Sequence, residues 1–200
     1  MSNFFPRLWR SCLKRLRQLA LWRLRATGRV TTAGRATLHV PLRCDGAGRV
    51  VLGADVHVGY GGAPRLGDGE VCLQARGPEA VITVGAGTAF SNNVQVLAET
   101  AVTIGPRCLL GDGVLILDSD FHALAAADRH VRPGRSAAVI LEENVFVGSR
   151  AIVLKGVTIG RNSVIGAGSV VVASIPPDVI AAGNPAKVLR PLPPAHDPVP

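Results

Sequence analysis

Asp118-Ser119-Asp120-Phe121-His122 places two carboxylates and an imidazole within one short stretch. An imidazole, with an ordinary pKa of about 6.5, can take the proton of a poor nucleophile such as a hydroxyl and return it to a leaving group. A carboxylate, Asp118 or Asp120, could hold the other ring nitrogen and so fix the ring's orientation. The same residues also suit a solvated loop, so the spacing alone leaves both readings open. Metal chemistry is poorly supplied. His122 and His130 are the one histidine pair in a single region and His57 is distant, whereas a three-histidine zinc site must gather all its ligands. Cys12, Cys44, Cys72 and Cys108 are spread without any Cys-x-x-Cys pair, which gives neither a zinc site nor a disulfide framework. A reduced, cytoplasmic compartment is the simplest expectation.

What must position these groups is a repeat. Aliphatic residues recur at every sixth position at Leu141, Val147, Val153, Ile159, Ile165 and Val171, and again at Val84, Phe90, Val96 and at Ile104, Leu110, Ile116. Neither a helix nor a flat strand has that period. It is the hexapeptide repeat of a parallel β-helix, in which three hexads close a coil of about 18 residues and coils stack at roughly 4.8 Å. Each aliphatic residue points into the prism, and the following turn, often Gly148, Gly160 or Gly166, makes a corner. Weaker hexads start at Leu52 and Val58 and are broken by the Gly-rich stretch 60–69. Alternation in Thr37-Leu38-His39-Val40 predicts a strand in a lead-in coil. The register disappears over 117–139, so a long loop leaves the prism beside His122; loops of that length are usually functional or disordered.

The net charge of +8 is local. Eight basic residues precede residue 30 with no acid among them, leaving 14 basic against 14 acidic residues in the remainder. A nucleic-acid footprint spread over a folded surface is therefore disfavoured. Residues 4–25 have the spacing of an amphipathic basic helix. Arginines interrupt every apolar run, which argues against a secretory signal or a membrane span. Two readings stay open for this helix: lying on anionic lipid, with peripheral contact at the inner face of a membrane, or packing on the prism. The expected organisation is a basic helix over 1–29, a β-helix domain over 30–190 and a Pro-rich tail over 191–200.

Phe90-Ser91-Asn92-Asn93, Asp118-Ser119-Asp120-Phe121-His122, Val147-Gly148-Ser149, the run from Val164 through Gly166, Ala167 and Ser169 to Val171, and Ala182-Gly183-Asn184-Pro185-Ala186-Lys187-Val188-Leu189-Arg190 together resemble the hexapeptide-repeat acyltransferases. The likeness is to the galactoside, maltose and nodulation O-acetyltransferases and to those of exopolysaccharide clusters, and it spans roughly residues 80 to 190. It implies a left-handed β-helix, an exception to the right-handed crossover rule, assembled as a homotrimer with active sites between subunits. It also implies acetyl-CoA as acyl donor, a saccharide hydroxyl as acceptor and no metal. By that resemblance His122 is the general base, Asn92 and Glu99 contact the acceptor, Ser149 and Ala167 line the pantetheine arm, and Lys187 and Arg190 meet the adenosine phosphates. Three departures stand out: Val172-Ala173 replaces a common Thr-Lys pair, Phe146 stands where many relatives carry Trp, and Ala123 follows His122 where sugar-specific relatives commonly have Pro. Arg129, His130, Arg132 and Arg135 in the loop suit either an anionic acceptor or water. Other readings of the chain are an N-acetyltransferase of an amino sugar nucleotide, a zinc-dependent carbonic anhydrase on the same β-helix, and a non-catalytic scaffold.

Overall fold

The structure, a computed structural model, describes residues 16, 17, 19–64 and 66–193. The aliphatic residues at every sixth position of 141–171 are wholly buried, and their strands fall into three sheets in strict rotation. One sheet holds Val30–Thr32, Arg49–Leu52, Val81–Val84, Ala101–Ile104, Val139–Leu141 and Thr158–Ile159; the second begins with Ala36–Leu38 and Val56–Val58 and runs up through Leu109–Leu110 and Phe146–Val147 to Val164–Ile165; the third runs from Leu42–Asp45 and Val71–Ala75 through Gln95–Ala98 and Leu115–Leu117 to Ile152–Val153 and Val170–Val171. The result is a left-handed parallel β-helix. Register keeps like on like: Ile104 sits on Leu141 and Leu141 on Ile159, while Leu110, Val147 and Ile165 form the equivalent column one side further on. A second inward position, Val145, Ala151, Val157, Ser163 and Ser169, is also buried. Stretch 30–45 forms the first coil, with a strand on each of its three sides.

Corner glycines answer to the stacking. A Cβ on Gly85 would stand 2.3 Å from the Pro106 nitrogen of the next coil, and one on Gly148 would stand 2.6 Å from that of Ala167. The left-handed backbone at the corners is carried mostly elsewhere, by Asn93, Arg107, Asn144, Arg150 and Asn162 among others, with φ between 56° and 62° for these five. Asn and Asp tolerate that conformation and hydrogen-bond along the column: the Asn144 amide donates to Asn162 Oδ1 (3.0 Å) and the Asn162 amide to Asp178 Oδ1 (2.6 Å).

Both ends are closed. Helical residues 19–26 lay Leu21, 5% exposed, and Leu24 against the core beside the first coil, whose Val30, Ala36 and Leu38 are buried. The Arg17 guanidinium donates to the His39 carbonyl and Arg29 Nη1 to that of Gly46. At the far end Val179–Gly183 turns back into an antiparallel pairing with Ala186–Pro191. The remainder of the expected helix, 4–15, and tail residues 194–200 lie outside the described residues.

Burial pushes the Cys44 thiol up to about 12, with the neighbouring Cys72 and Asp45 adding to the effect, and raises Cys72 and Cys108 in the same direction. The unfolded chain ionises Cys44 first, near 9, so this contribution to stability is complete below that pH and is lost as pH climbs from 9 toward 12. Thermal melts at pH 8 and pH 10 should show a loss about 1 kcal/mol smaller in Cys44→Ala than in the parent chain; equal losses would show that the thiol ionises as readily folded as unfolded.

Candidate active site

Two stretches break the six-residue rhythm, and each is tied to the regular coils by a buried polar side chain. The first, 59–70, follows Val56–Val58. Asn92, wholly buried, accepts from the Tyr60 amide at 3.0 Å, and its own amide donates to the carbonyls of Tyr60, Ala63 and Pro64, each at 3.1 Å. Asn92 thus commits both its oxygen and its nitrogen to this loop. Beside it a groove of about 370 Å³ runs over the outer face of the second sheet, bounded by His39, His57, Tyr60, Ser91, Leu109 and Phe146.

The second interruption occupies 118–138, between Leu115–Leu117 and Val139–Leu141. Asp118, wholly buried at its root, accepts from the amides of Glu99, Thr100 and Ala101 and from the Thr100 hydroxyl, all at 2.7 to 2.8 Å. Three converging N–H groups hold this carboxylate, which has no ion pair among the described residues. Asp118 therefore locks the corner of the coil below, with three of its four hydrogen bonds on Oδ2 and one on Oδ1.

Beyond the root the loop is a narrow antiparallel neck. Asp120 N donates to the Arg135 carbonyl at 3.0 Å, Ala137 N to the Asp118 carbonyl at 2.8 Å, and His122 bridges to Pro133. Gly134 is required here, since a Cβ would lie 2.8 Å from both the nitrogen and the oxygen of His122. His122 is thus held by its backbone while its side chain is exposed, and among the described residues the imidazole has no hydrogen-bond partner. Asp120 Oδ1 pairs with Lys155 Nζ at 2.8 Å, and Oδ2 is buried without a partner. Glu99 is ion-paired with Arg76 at 3.4 Å, and the Arg76 guanidinium lies 4.7 Å over the ring of Phe121, the residue before His122; the φ of Phe121 is +59°. Lys155, Arg76 and Gly134 escape sequence reasoning. Lys155 and Arg76 approach the neck only across coils, and Gly134 matters through a contact rather than a turn type.

The residues expected to hold the cofactor gather elsewhere. Ser149 and Ala167 are exposed at the same corner of consecutive coils, between the second and third sheets. Gly168 N donates to the Ser149 carbonyl and Gly166 N to that of Ala181, and exposed Lys187 stands opposite Ala182. Ser149, Ala167 and Lys187 therefore climb one edge toward the C-terminal end, with Arg190 farther along the same final strand. His122 is rooted on a different edge, between the third sheet and the first. Among the described residues no group of three or more His, Cys, Asp or Glu is placed to hold a metal ion.

The profile of the family described as "hexapeptide repeat of succinyl-transferase" matches residues 138–173. The galactoside O-acetyltransferase of Lactococcus lactis is 39% identical over 106 residues, which is 53% of this chain and 51% of that protein. A solved galactoside acetyltransferase in complex with coenzyme A is 36% identical, with a TM-score of 0.54 over 56% of each chain. A hexapeptide-repeat-containing acetyltransferase of Vibrio cholerae O1 biovar eltor, complexed with acetyl coenzyme A, superposes over 96% of this chain and 91% of its own with a TM-score of 0.61; at 22% identity it attests the fold alone. The chain spans about half the length of the curated relatives it matches.

The two loop aspartates should separate on substitution. Asp118→Ala, which strips four hydrogen bonds from a buried carboxylate, should cost about 3 kcal/mol and lower the melting temperature by roughly 6–12 °C. Asp120→Ala loses only a partly exposed pair, worth about 1 kcal/mol or less. Calorimetry showing the reverse order would refute the assignment of Asp118 to the fold.

Proposed function

We propose, from the resemblance of this hexapeptide-repeat chain to the O-acetyltransferases, that it transfers the acetyl group of acetyl-CoA to a saccharide hydroxyl, with His122 as general base. The observation that carries this reading is an exposed, unpartnered imidazole on a backbone clamped from both sides, in a chain 36% identical to a CoA-bound galactoside acetyltransferase. As the hydroxyl oxygen attacks the thioester carbonyl carbon, the His122 imidazole takes its proton. Collapse of the tetrahedral intermediate breaks the carbon–sulfur bond, and the same proton passes to the departing sulfur, leaving an O-acetyl ester and free CoA thiol. Asp120, two residues away with one free carboxylate oxygen, is the better of the two aspartates to steady the ring as it becomes cationic. Glu99 acts by way of Arg76 and Phe121 on the platform beneath the histidine, and Asn92 shapes the neighbouring loop.

Ser149 and Ala167 would then flank the pantetheine arm, while Lys187 and Arg190 meet the phosphates, where cations make short charge-assisted hydrogen bonds. Because this line and His122 occupy different edges of one prism, the reading includes a homotrimer in which one copy's cofactor edge faces a neighbour's histidine loop. The acceptor is a polysaccharide repeat unit or a lipid-linked glycan. An N-acetyltransferase acting on an amino sugar would use the same donor edge, and a scaffold would use none of it.

Incubation of the full chain with acetyl-CoA and a panel of saccharides, read by CoA release and by the mass of the acetylated product, should show transfer. His122→Ala should lower kcat by about 10²–10⁴ without weakening CoA binding, and the active species should sediment at three times 20.8 kDa. A variant that keeps full turnover would remove the general base, and an active monomer would remove the shared site.

A further inference from the structure

We propose that the N-terminal helix seats one end of the prism on an anionic lipid bilayer. At 3.6 residues per turn, Arg17, Leu21 and Leu24 share one side of the helix, and this is the side turned to the prism: Leu21 is 5% exposed, Leu24 packs on the core and Arg17 reaches the His39 carbonyl. Leu16, Leu19 and Trp22 lie on the opposite side and are 56%, 57% and 66% exposed. Packing on the core and facing lipid, alternatives for an ordinary amphipathic helix, are here compatible, because the helix carries an apolar surface on both sides.

The charge around the outer side fits one occupant. Arg23 and Arg25 are exposed and make no ion pair among the described residues, and Arg29 donates only to a carbonyl. The first acidic residue in the chain is Asp45, which is already paired with Arg43. Exposed leucines and a tryptophan among unpaired arginines match the boundary of headgroup and acyl chain in an anionic leaflet, where aromatic rings settle and arginines find lipid phosphates. Phe4, Phe5, Leu8 and Trp9 with Arg7, Arg10, Lys14 and Arg15 precede this helix in the sequence and lie outside the described residues. No helix among the described residues is long and apolar enough to cross a membrane, so the contact is peripheral.

Seating this end fixes a height. The neck that carries His122 leaves the fourth coil, three steps above the first, and three steps of about 4.8 Å come to roughly 14 Å. Resting on the acetyl-transfer reading above, the acceptor would be a glycan held to the membrane by its lipid, with the reactive sugar standing clear of the headgroups.

The test is flotation of the full chain with vesicles of phosphatidylcholine, alone or with about one quarter phosphatidylglycerol. The chain should float with the anionic vesicles and stay behind with the neutral ones, and about 0.5 M salt should release it. Leu19→Gln with Trp22→Gln, both at exposed positions and so leaving the melting temperature unchanged, should weaken binding at least about tenfold. The proposal fails if the parent chain does not float, if the double variant binds as well as the parent, or if the substitutions instead change the sedimenting mass, which would mean that a second copy covers this face. Flotation is read without acetyl transfer, so its failure leaves the catalytic reading intact, and loss of transfer leaves the membrane reading intact.

Discussion

Every coil of this protein lies against the next at the spacing of hydrogen-bonded strands, and that contact constrains nearly everything else. At about 4.8 Å a side chain sees its counterpart directly above and below, so the interior must be filled by columns of matched size, such as Ile104, Leu141 and Ile159. Corners close to van der Waals limits leave no room for a Cβ at Gly85 or Gly148. Polar residues survive inside only where they satisfy neighbouring backbone, as Ser163 does by donating to the Pro176 carbonyl and accepting from Val179 N. Each interior coil is held in register by the coil above and the coil below.

Regularity of that kind leaves chemistry to the interruptions. Both insertions follow the same construction, an irregular segment tied to the regular part by one buried polar side chain. Asn92 spends its whole amide on the stretch after residue 59, and Asp118 spends its carboxylate on the corner of residues 99 to 101. Asp118 holds the corner at the root of the loop that carries His122, and Asn92 does the same for the stretch after residue 59 on another edge. Lys155, Arg76 and Gly134 complete the frame of the His122 loop from the coil above, from an earlier corner and from the returning strand of the neck.

The ends obey the same rule in a different form. A stack of parallel coils exposes apolar interior and unpaired backbone at each end unless something covers it. At the C-terminal end the chain folds back as an antiparallel pair. At the N-terminal end a short helix lends Leu21 and Leu24, and in doing so turns Leu16, Leu19 and Trp22 away from the protein.

The six-residue period determined the architecture, the inward residues and the place where the loop must leave, because in a solenoid the packing partners of a residue lie at a fixed sequence offset. The residues around the loop were also enough to single out His122 by resemblance, and the charge count alone confined the basicity to the first 29 positions. Only the folded chain decided which polar groups bond to which backbone, since the three amides that hold Asp118 come from a coil some eighteen residues earlier and no local pattern announces their direction. It likewise placed Ser149 and Ala167 on one edge of the prism and the histidine loop on another. That separation depends on how many sides the chain turns between Leu117 and Ser149, a property of closure in three dimensions.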